Sequence, residues 1–89
     1  MEPRLLKVEP LPDFNIKLYY ETGEVKVYDV KPYISAGPWT ARLGNESYFA
    51  RVRVVDSGWT VEWPEGHDIA PHELYELGVT VDPVLARPN

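Results

Sequence analysis

The sequence predicts a single α+β domain in which an antiparallel sheet of about five strands packs against a short C-terminal helix. Three observations lead there. Residues 14–30 and 51–63 alternate apolar and polar side chains on either side of a glycine-bearing turn, which is the pattern of half-buried β-hairpins. A segment near the C-terminus opens on Pro71 and closes on Gly78, the usual punctuation of a helix. Finally, 89 residues of which 44% are hydrophobic suffice for one core and not for two, so residues 1–89 are read as one domain.

Arg4-Leu5-Leu6-Lys7-Val8 supplies a first strand, bounded by Pro10 and Pro12, since proline interrupts sheet pairing. In the run Phe14 to Tyr20, Phe14, Ile16, Leu18 and Tyr20 share one face, and Val25 to Val30 alternates again after Glu21-Thr22-Gly23-Glu24. Pairing Tyr20 with Val25 and Leu18 with Val27 keeps both apolar rows on one side, because a one-residue slip would exchange the faces. The connecting loop must then hold an even number of residues. Thr22 resists the positive φ of a tight two-residue turn, so a four-residue loop is expected. This register places Asp29 on the apolar side opposite Ile16. A buried carboxylate needs partners, and the backbone near Lys31 is expected to donate to it.

Residues 31–44 contain Pro32, Gly37 and Pro38 and show neither period. They are read as a wrapping loop pinned by Trp39 and Leu43. Asn45 then caps one turn of helix over 46–50. The second hairpin opposes Val54 with Trp59 and Val52 with Val61 across the tip Asp56-Ser57-Gly58, which sends both Trp59 and Trp63 into the core. In the C-terminal helix Glu73 complements the positive N-terminal end. Ile69 and Leu74 form a hydrophobic staple, and Leu74 with Leu77 faces the sheet. Residues 79–89 read as a frayed tail in which Val79 and Val81 offer an edge strand.

Charge is unevenly spread. Residues 1–53 carry eight Lys/Arg against seven Asp/Glu, whereas residues 54–89 carry Arg87 alone against seven acidic residues. Glu62, Glu65, Asp68, Glu73 and Glu76 are therefore a candidate acidic patch suited to a basic partner and repellent to phosphate. Lys17, Tyr19, Lys26, Tyr28, Arg51 and Arg53 point away from the core under the assigned registers, which makes a platform of cations and phenol rings. Such a face suits a protein contact, including a second copy of the chain, or stacked single-stranded bases. The net charge of −5 ranks protein first and nucleic acid second.

Several classes of chemistry lack support. With no cysteine there is neither a disulfide frame nor a thiolate. No apolar run approaches the length of about 18 residues that spans a bilayer, and Met1-Glu2-Pro3-Arg4 lacks a signal-peptide pattern, so a cytoplasmic protein is expected. His67, Asp68 and His72, with Glu65 nearby, are the one cluster with ligand chemistry, but their spacing matches no metal signature. The expected reading has Asp68 accepting backbone N–H bonds at the helix entrance and both histidines in solvent. Asp29 has no neighbouring acid or nucleophile to work with as a base. Ser35, Ser47 and Ser57 lie outside any nucleophile elbow. No catalytic residue, metal or cofactor is assigned, and the chain is read as a binding module rather than an enzyme.

Taken together, Leu18-Tyr19-Tyr20-Glu21-Thr22-Gly23-Glu24, then Tyr28-Asp29-Val30-Lys31-Pro32, then the stretch from Trp63 to Tyr75, with its Trp63-Pro64-Glu65-Gly66-His67-Asp68 opening, resemble a small bacterial family known as domain of unknown function 2442. The resemblance covers residues 8–76, and Leu43 and Phe49 fit its spacing. It implies an α+β fold with a curved antiparallel sheet. It also implies a protein that stands alone or precedes a helix-turn-helix domain, and no such helices are appended here. Some members are encoded beside another very small protein, as toxin-antitoxin pairs are, so the implied role is an antitoxin-like or regulatory partner. The chain departs from the family at Thr22, where Asn is usual, and at Ala70, where Ser caps the helix. The resemblance carries no catalytic residues.

Overall fold

The computed structural model describes residues 2–81, and within them the chain forms two antiparallel sheets with short helices between and after them. Strands β1 (Leu5–Leu11), β2 (Asn15–Tyr20) and β3 (Val25–Asp29) follow one another. After helix α1 (Lys31–Ile34), a 3-10 segment at Thr40–Gly44 and helix α2 (Glu46–Phe49) come β4 (Arg53–Val55), β5 (Thr60–Glu62) and β6 (Asp68–Ile69). Helix α3 (Pro71–Leu77) and strand β7 (Val79–Thr80) complete the order. The larger sheet runs β1-β2-β3-β7 and the smaller one β4-β5-β6. The fold class is thus the α+β arrangement that the alternation predicts, with more strands and a second sheet.

Strand β1 continues through Pro10, which sits opposite Ile16. Proline is tolerated there because β1 is the sheet's edge and its outer side needs no ladder donor. Asn45 caps α2 as expected, its side-chain oxygen accepting from the Tyr48 N–H at 3.0 Å. Pro71 and Gly78 bound α3 as expected, and Val79 and Thr80 form the edge strand on β3. Residues 82–89, the rest of the expected tail, lie outside the described residues.

The first hairpin differs from expectation by one residue, and much follows from that. Tyr19 pairs with Val25 and Leu18 with Lys26. The Tyr20 N–H donates to the Glu24 carbonyl at 2.9 Å, and the Gly23 N–H to the Tyr20 carbonyl at 2.9 Å. The loop is therefore three residues, Glu21-Thr22-Gly23, with Gly23 at φ 93°. That geometry is a type I turn followed by a glycine bulge, an odd-numbered connection that twists as the strands do. Thr22 keeps a negative φ, and glycine takes the left-handed position.

The bulge turns β3 over. Ile16, Leu18 and Tyr20 remain buried, but their partners on the inner face are Lys26, Tyr28 and Val30, while Val25 and Val27 face outward. Burying a lysine and a phenol is costly without partners, and both find them on α3. Lys26 Nζ donates to the Tyr75 carbonyl at 2.8 Å and lies 4.2 Å from the Tyr75 ring centroid. The Tyr28 hydroxyl donates to Glu73 Oε2 at 2.5 Å. Among the described residues no buried side-chain nitrogen or oxygen is left without a partner.

The second hairpin keeps its predicted faces but shifts by two residues, with Val54 opposite Val61 and Val55 opposite Thr60. Trp59 consequently falls in the loop and is exposed, whereas Trp63 is fully buried. The loop presses on β1: a Cβ on Gly58, whose φ is 96°, would lie 2.5 Å from the Leu5 carbonyl oxygen, and Arg4 Nη1 donates to the Ser57 carbonyl at 2.9 Å.

Between the sheets the core gathers Ile16, Leu18, Leu43, Val61, Trp63 and Leu74, all at 0% exposure. Phe14 meets Phe49 edge-to-face and Phe49 packs at a tilt on Trp63 across it, and the Trp63 indole donates to the Phe49 carbonyl at 2.9 Å. Ile69 and Leu74, the predicted staple, are both buried, but Leu77 is 65% exposed. Its expected place on the sheet is taken by Tyr75 and the Lys26 stem.

Candidate functional site

The six residues expected on one outer platform are split by the register. Lys17 and Tyr19 do lie on the outer face of the larger sheet. Lys26 and Tyr28 do not: the glycine bulge carries them inward to α3, as described above. Arg51 and Arg53 are exposed but belong to the smaller sheet's approach, and Arg53 is tied to Glu62 at 3.1 Å.

What the outer face carries instead is an apolar strip. Tyr19, Val25 and Val81 follow one another across the sheet, with Val81 N–H bonded to the Val25 carbonyl at 2.7 Å. Beside them run Lys17, Val27 and Val79. Val79 is 69% exposed. Lys7, Glu9 and Lys17 border the strip. The Tyr19 hydroxyl donates to Glu9 Oε1 at 2.8 Å, while Lys7 and Lys17 hold their ammonium groups 5.3 and 5.5 Å from the ring centroid. Phase-based pairing missed this strip because β3 offers apolar residues in both phases. Gly23, at the third loop position, was the signal that could have decided between them.

The acidic residues are largely engaged. Glu62 pairs with Arg53, and Glu65 with Arg42 at 3.2 Å. Glu73 accepts from Tyr28. Asp68 and Glu76 are exposed, and Asp68 stands directly opposite Glu62 across β5 and β6. Among the described residues Asp68 makes no side-chain hydrogen bond, so it does not cap α3. Ala70 occupies that N-cap without a side-chain bond. Asp29 faces solvent opposite Asn15 rather than Ile16. It nevertheless accepts from the Lys31 N–H at 3.0 Å, as expected, and from Lys31 Nζ at 2.9 Å. These lysine contacts hold its carboxyl below the usual aspartate range.

His67 corrects the expectation of two solvated histidines. It is fully buried, its ring stacked on Trp39 with centroids 3.9 Å apart. Nε2 lies 2.7 Å from the Trp39 carbonyl and Nδ1 lies 2.9 Å from the Tyr48 hydroxyl. A carbonyl only accepts, so Nε2 carries the proton. Tyr48 then donates to Nδ1 while accepting from the Glu65 N–H at 2.9 Å. His72 is on the surface beside Glu2. The two rings do not converge, and no group of three potential ligands comes together among the described residues.

No helix among the described residues is long and apolar enough to cross a membrane. The fold and its surfaces define a small α+β domain built from two antiparallel sheets, with an apolar outer face on the larger one. The family model described as "Protein of unknown function (DUF2442)" matches residues 5–80, and the chain belongs to that family. No curated protein sequence matches it. The crystal structure of a "putative DNA binding protein" from Nitrosomonas europaea is similar, with a TM-score of 0.74 and 28% identity over 84% of this chain. The match covers 48% of that protein, so this chain spans about half its length.

Proposed function

We propose that this domain is a non-catalytic protein-interaction module that seats a protein partner on the outer face of its larger sheet. The observation that carries the reading is the inverted strand β3, which buries Lys26 and Tyr28 and turns Val25 and Val27 outward beside Val79 and Val81. A sheet with one wet face ordinarily keeps its polar row outside, and contiguous exposed apolar surface is a feature of interaction sites. Lys7, Lys17 and Glu9 around the strip offer a polar rim of both signs. The net charge of −5 is consistent with the acidic, antitoxin-like member of a pair of small proteins.

The test is purification of the chain from its native host followed by sedimentation velocity, with Val79→Asp and Val27→Thr variants alongside. A stoichiometric partner or a dimer that both variants release supports the reading. A wild-type chain that travels alone, or an assembly indifferent to both substitutions, overturns it. Val27→Thr keeps the β-branch, so loss of folding does not confuse the result.

Nucleic-acid binding is the second reading, favoured by the name of the Nitrosomonas europaea protein and by the Lys7, Lys17 and Tyr19 cluster. The inward turn of Lys26 and Tyr28 weakens it, as does the commitment of the Tyr19 phenol to Glu9. A gel shift with single-stranded RNA or duplex DNA at low salt tests it. Binding that falls steeply with added salt supports it, and the absence of any shift removes it.

A further inference from the structure

A second surface, this one concave, lies between the end of β3, α1 and α3. It is a cleft of about 410 Å³ lined by Tyr28, Asp29, Pro32, Tyr33, Ala36, Glu73 and Leu77, within the size range of small-ligand sites. We propose that this cleft binds an aliphatic cation, a primary ammonium or guanidinium group on a short hydrocarbon stem, as carried by a lysine or arginine side chain.

The chemistry of the lining points to that ligand. Glu73 is held by the Tyr28 hydroxyl at Oε2, and among the described residues its Oε1 has no hydrogen-bond partner. Tyr33 is half-buried, and its hydroxyl likewise makes no hydrogen bond among the described residues. Burial, and then the Asp68 and Glu73 carboxylates, push the Tyr33 phenol above its usual range, which marks the surroundings as electronegative. No lysine or arginine belongs to the lining. The ammonium of Lys31, which precedes the lining residue Pro32, is occupied by Asp13 at 3.0 Å and Asp29 at 2.9 Å, and that of Lys26 by the Tyr75 carbonyl at 2.8 Å. Two tyrosines line the cleft and supply aromatic surface of the kind that attracts cations, one carboxylate oxygen offers a charge-assisted bond, and Pro32, Ala36 and Leu77 can cover an alkyl stem. Leu77, left 65% exposed, lines this cleft instead of packing on the sheet.

An anion is disfavoured by the carboxylates, and a wholly apolar ligand would leave Glu73 Oε1 desolvated without a partner. The site is separate from the outer sheet face, and its occupancy does not depend on the reading proposed above.

The experiment is two-dimensional NMR titration of the full chain with three probes: N-acetyl-lysine amide, N-acetyl-arginine amide and the neutral isostere N-acetyl-norleucine amide. The variants are Glu73→Gln, which keeps an acceptor for Tyr28, and Tyr33→Leu. The expected result is saturable shifts at Tyr33, Ala36 and Leu77 with either cationic probe and none with norleucine. Affinity should fall roughly tenfold in Glu73→Gln, as loss of one charge-assisted bond implies, and by a smaller factor in Tyr33→Leu. Equal response to the neutral probe overturns the proposal, as do shifts confined to Glu62 and Asp68 or unchanged affinity in Glu73→Gln. Lysine and arginine probes that bind alike leave the shared cation as the determinant, while preference for one names the side chain.

Discussion

Replacing Tyr48 with phenylalanine tests whether His67 belongs to the core or is held in reserve as a ligand. The ring stays, so packing and volume are conserved, and only the hydroxyl is lost. That hydroxyl serves two groups, donating to His67 Nδ1 at 2.9 Å and accepting from the Glu65 N–H at 2.9 Å. His67 is at 0% exposure, so its orphaned nitrogen loses about 1–3 kcal/mol, and the partly buried Glu65 N–H about 0.5–1.5 kcal/mol. The combined destabilisation is about 1.5–4.5 kcal/mol, and in a domain of this size each kcal/mol lowers Tm by about 4–8 °C. Thermal unfolding followed by circular dichroism should therefore show a loss of roughly 6–36 °C, with a matching fall in the urea midpoint. The double variant Tyr48→Phe with His67→Leu should lose less than the sum of its parts, because the orphaned nitrogen is gone. A Tyr48→Phe protein within about 3 °C of wild type would refute the structural role of this triad and return His67 to the list of potential ligands.

Three further outcomes are expected. Gly58→Ala should destabilise by more than about 2 kcal/mol, since φ 96° is combined with a 2.5 Å approach to the Leu5 carbonyl; Gly23→Ala, with nothing within 4 Å of its Cβ, should cost only about 1–2 kcal/mol, and equal losses in urea unfolding would contradict the packing of that loop on β1. Asn45→Ala should cost about 1 kcal/mol by removing the cap on α2, which urea midpoints can resolve. Glu24 is held below its ordinary range by the Thr22 hydroxyl and then by the Tyr75 phenol. A lowered folded-state pKa gives stability that is present above the unfolded value of about 4.3 and lost as pH falls through the folded one. Thr22→Val should flatten that acid limb in a pH series of urea midpoints, and an unchanged slope would count against the contact.

The parts of the fold that were legible in the sequence are those signalled locally. Pro71, Gly78 and the Ile69–Leu74 pair announce α3 within ten residues, and Asn45 announces α2, because a cap acts on its own turn. Strand alternation was legible too, but its phase in β3 was not. Val25 and Val27 occupy one phase, Tyr28 and Val30 the other, so apolarity alone does not choose. Buried histidine was illegible for a different reason: the groups that satisfy His67 come from Trp39 and Tyr48, 28 and 19 residues away, and nothing at position 67 announces them. Leu77 looked like core because helical spacing pairs it with Leu74, while the surface that would have received it is occupied by a lysine stem that the expected register had placed outside. Of the candidate site residues, Lys17 and Tyr19 were placed correctly because β2 keeps one phase throughout.

The two surfaces that carry the functional reading have one structural origin. Had β3 paired in the other phase, Val25 and Val27 would enlarge the core, the outer face would be polar, and Lys26 and Tyr28 would not reach α3. That helix would then lose the Lys26 bond to its Tyr75 carbonyl, where a cation meets the negative end of the helix dipole, and the Tyr28 bond to Glu73 that walls the cleft. Close approach reinforces the arrangement: a Cβ on Gly78 would sit 2.6 Å from the Leu74 carbonyl oxygen and 3.2 Å from the Lys26 Cβ, so a side chain there would have to displace the last helical turn and crowd the lysine stem. Tyr75 adds a third tie, its hydroxyl donating to Glu24 at 2.8 Å beside the same turn. Polar contacts to β3 and its loop thus add to the apolar seating of the helix by Leu74, its one fully buried residue, and by Tyr75 against Tyr20. The polar contacts lose more from a misplacement than apolar ones do, because each broken bond leaves a desolvated group. The three-residue loop at Gly23 thus determines both which row of β3 faces outward and where the cleft opens.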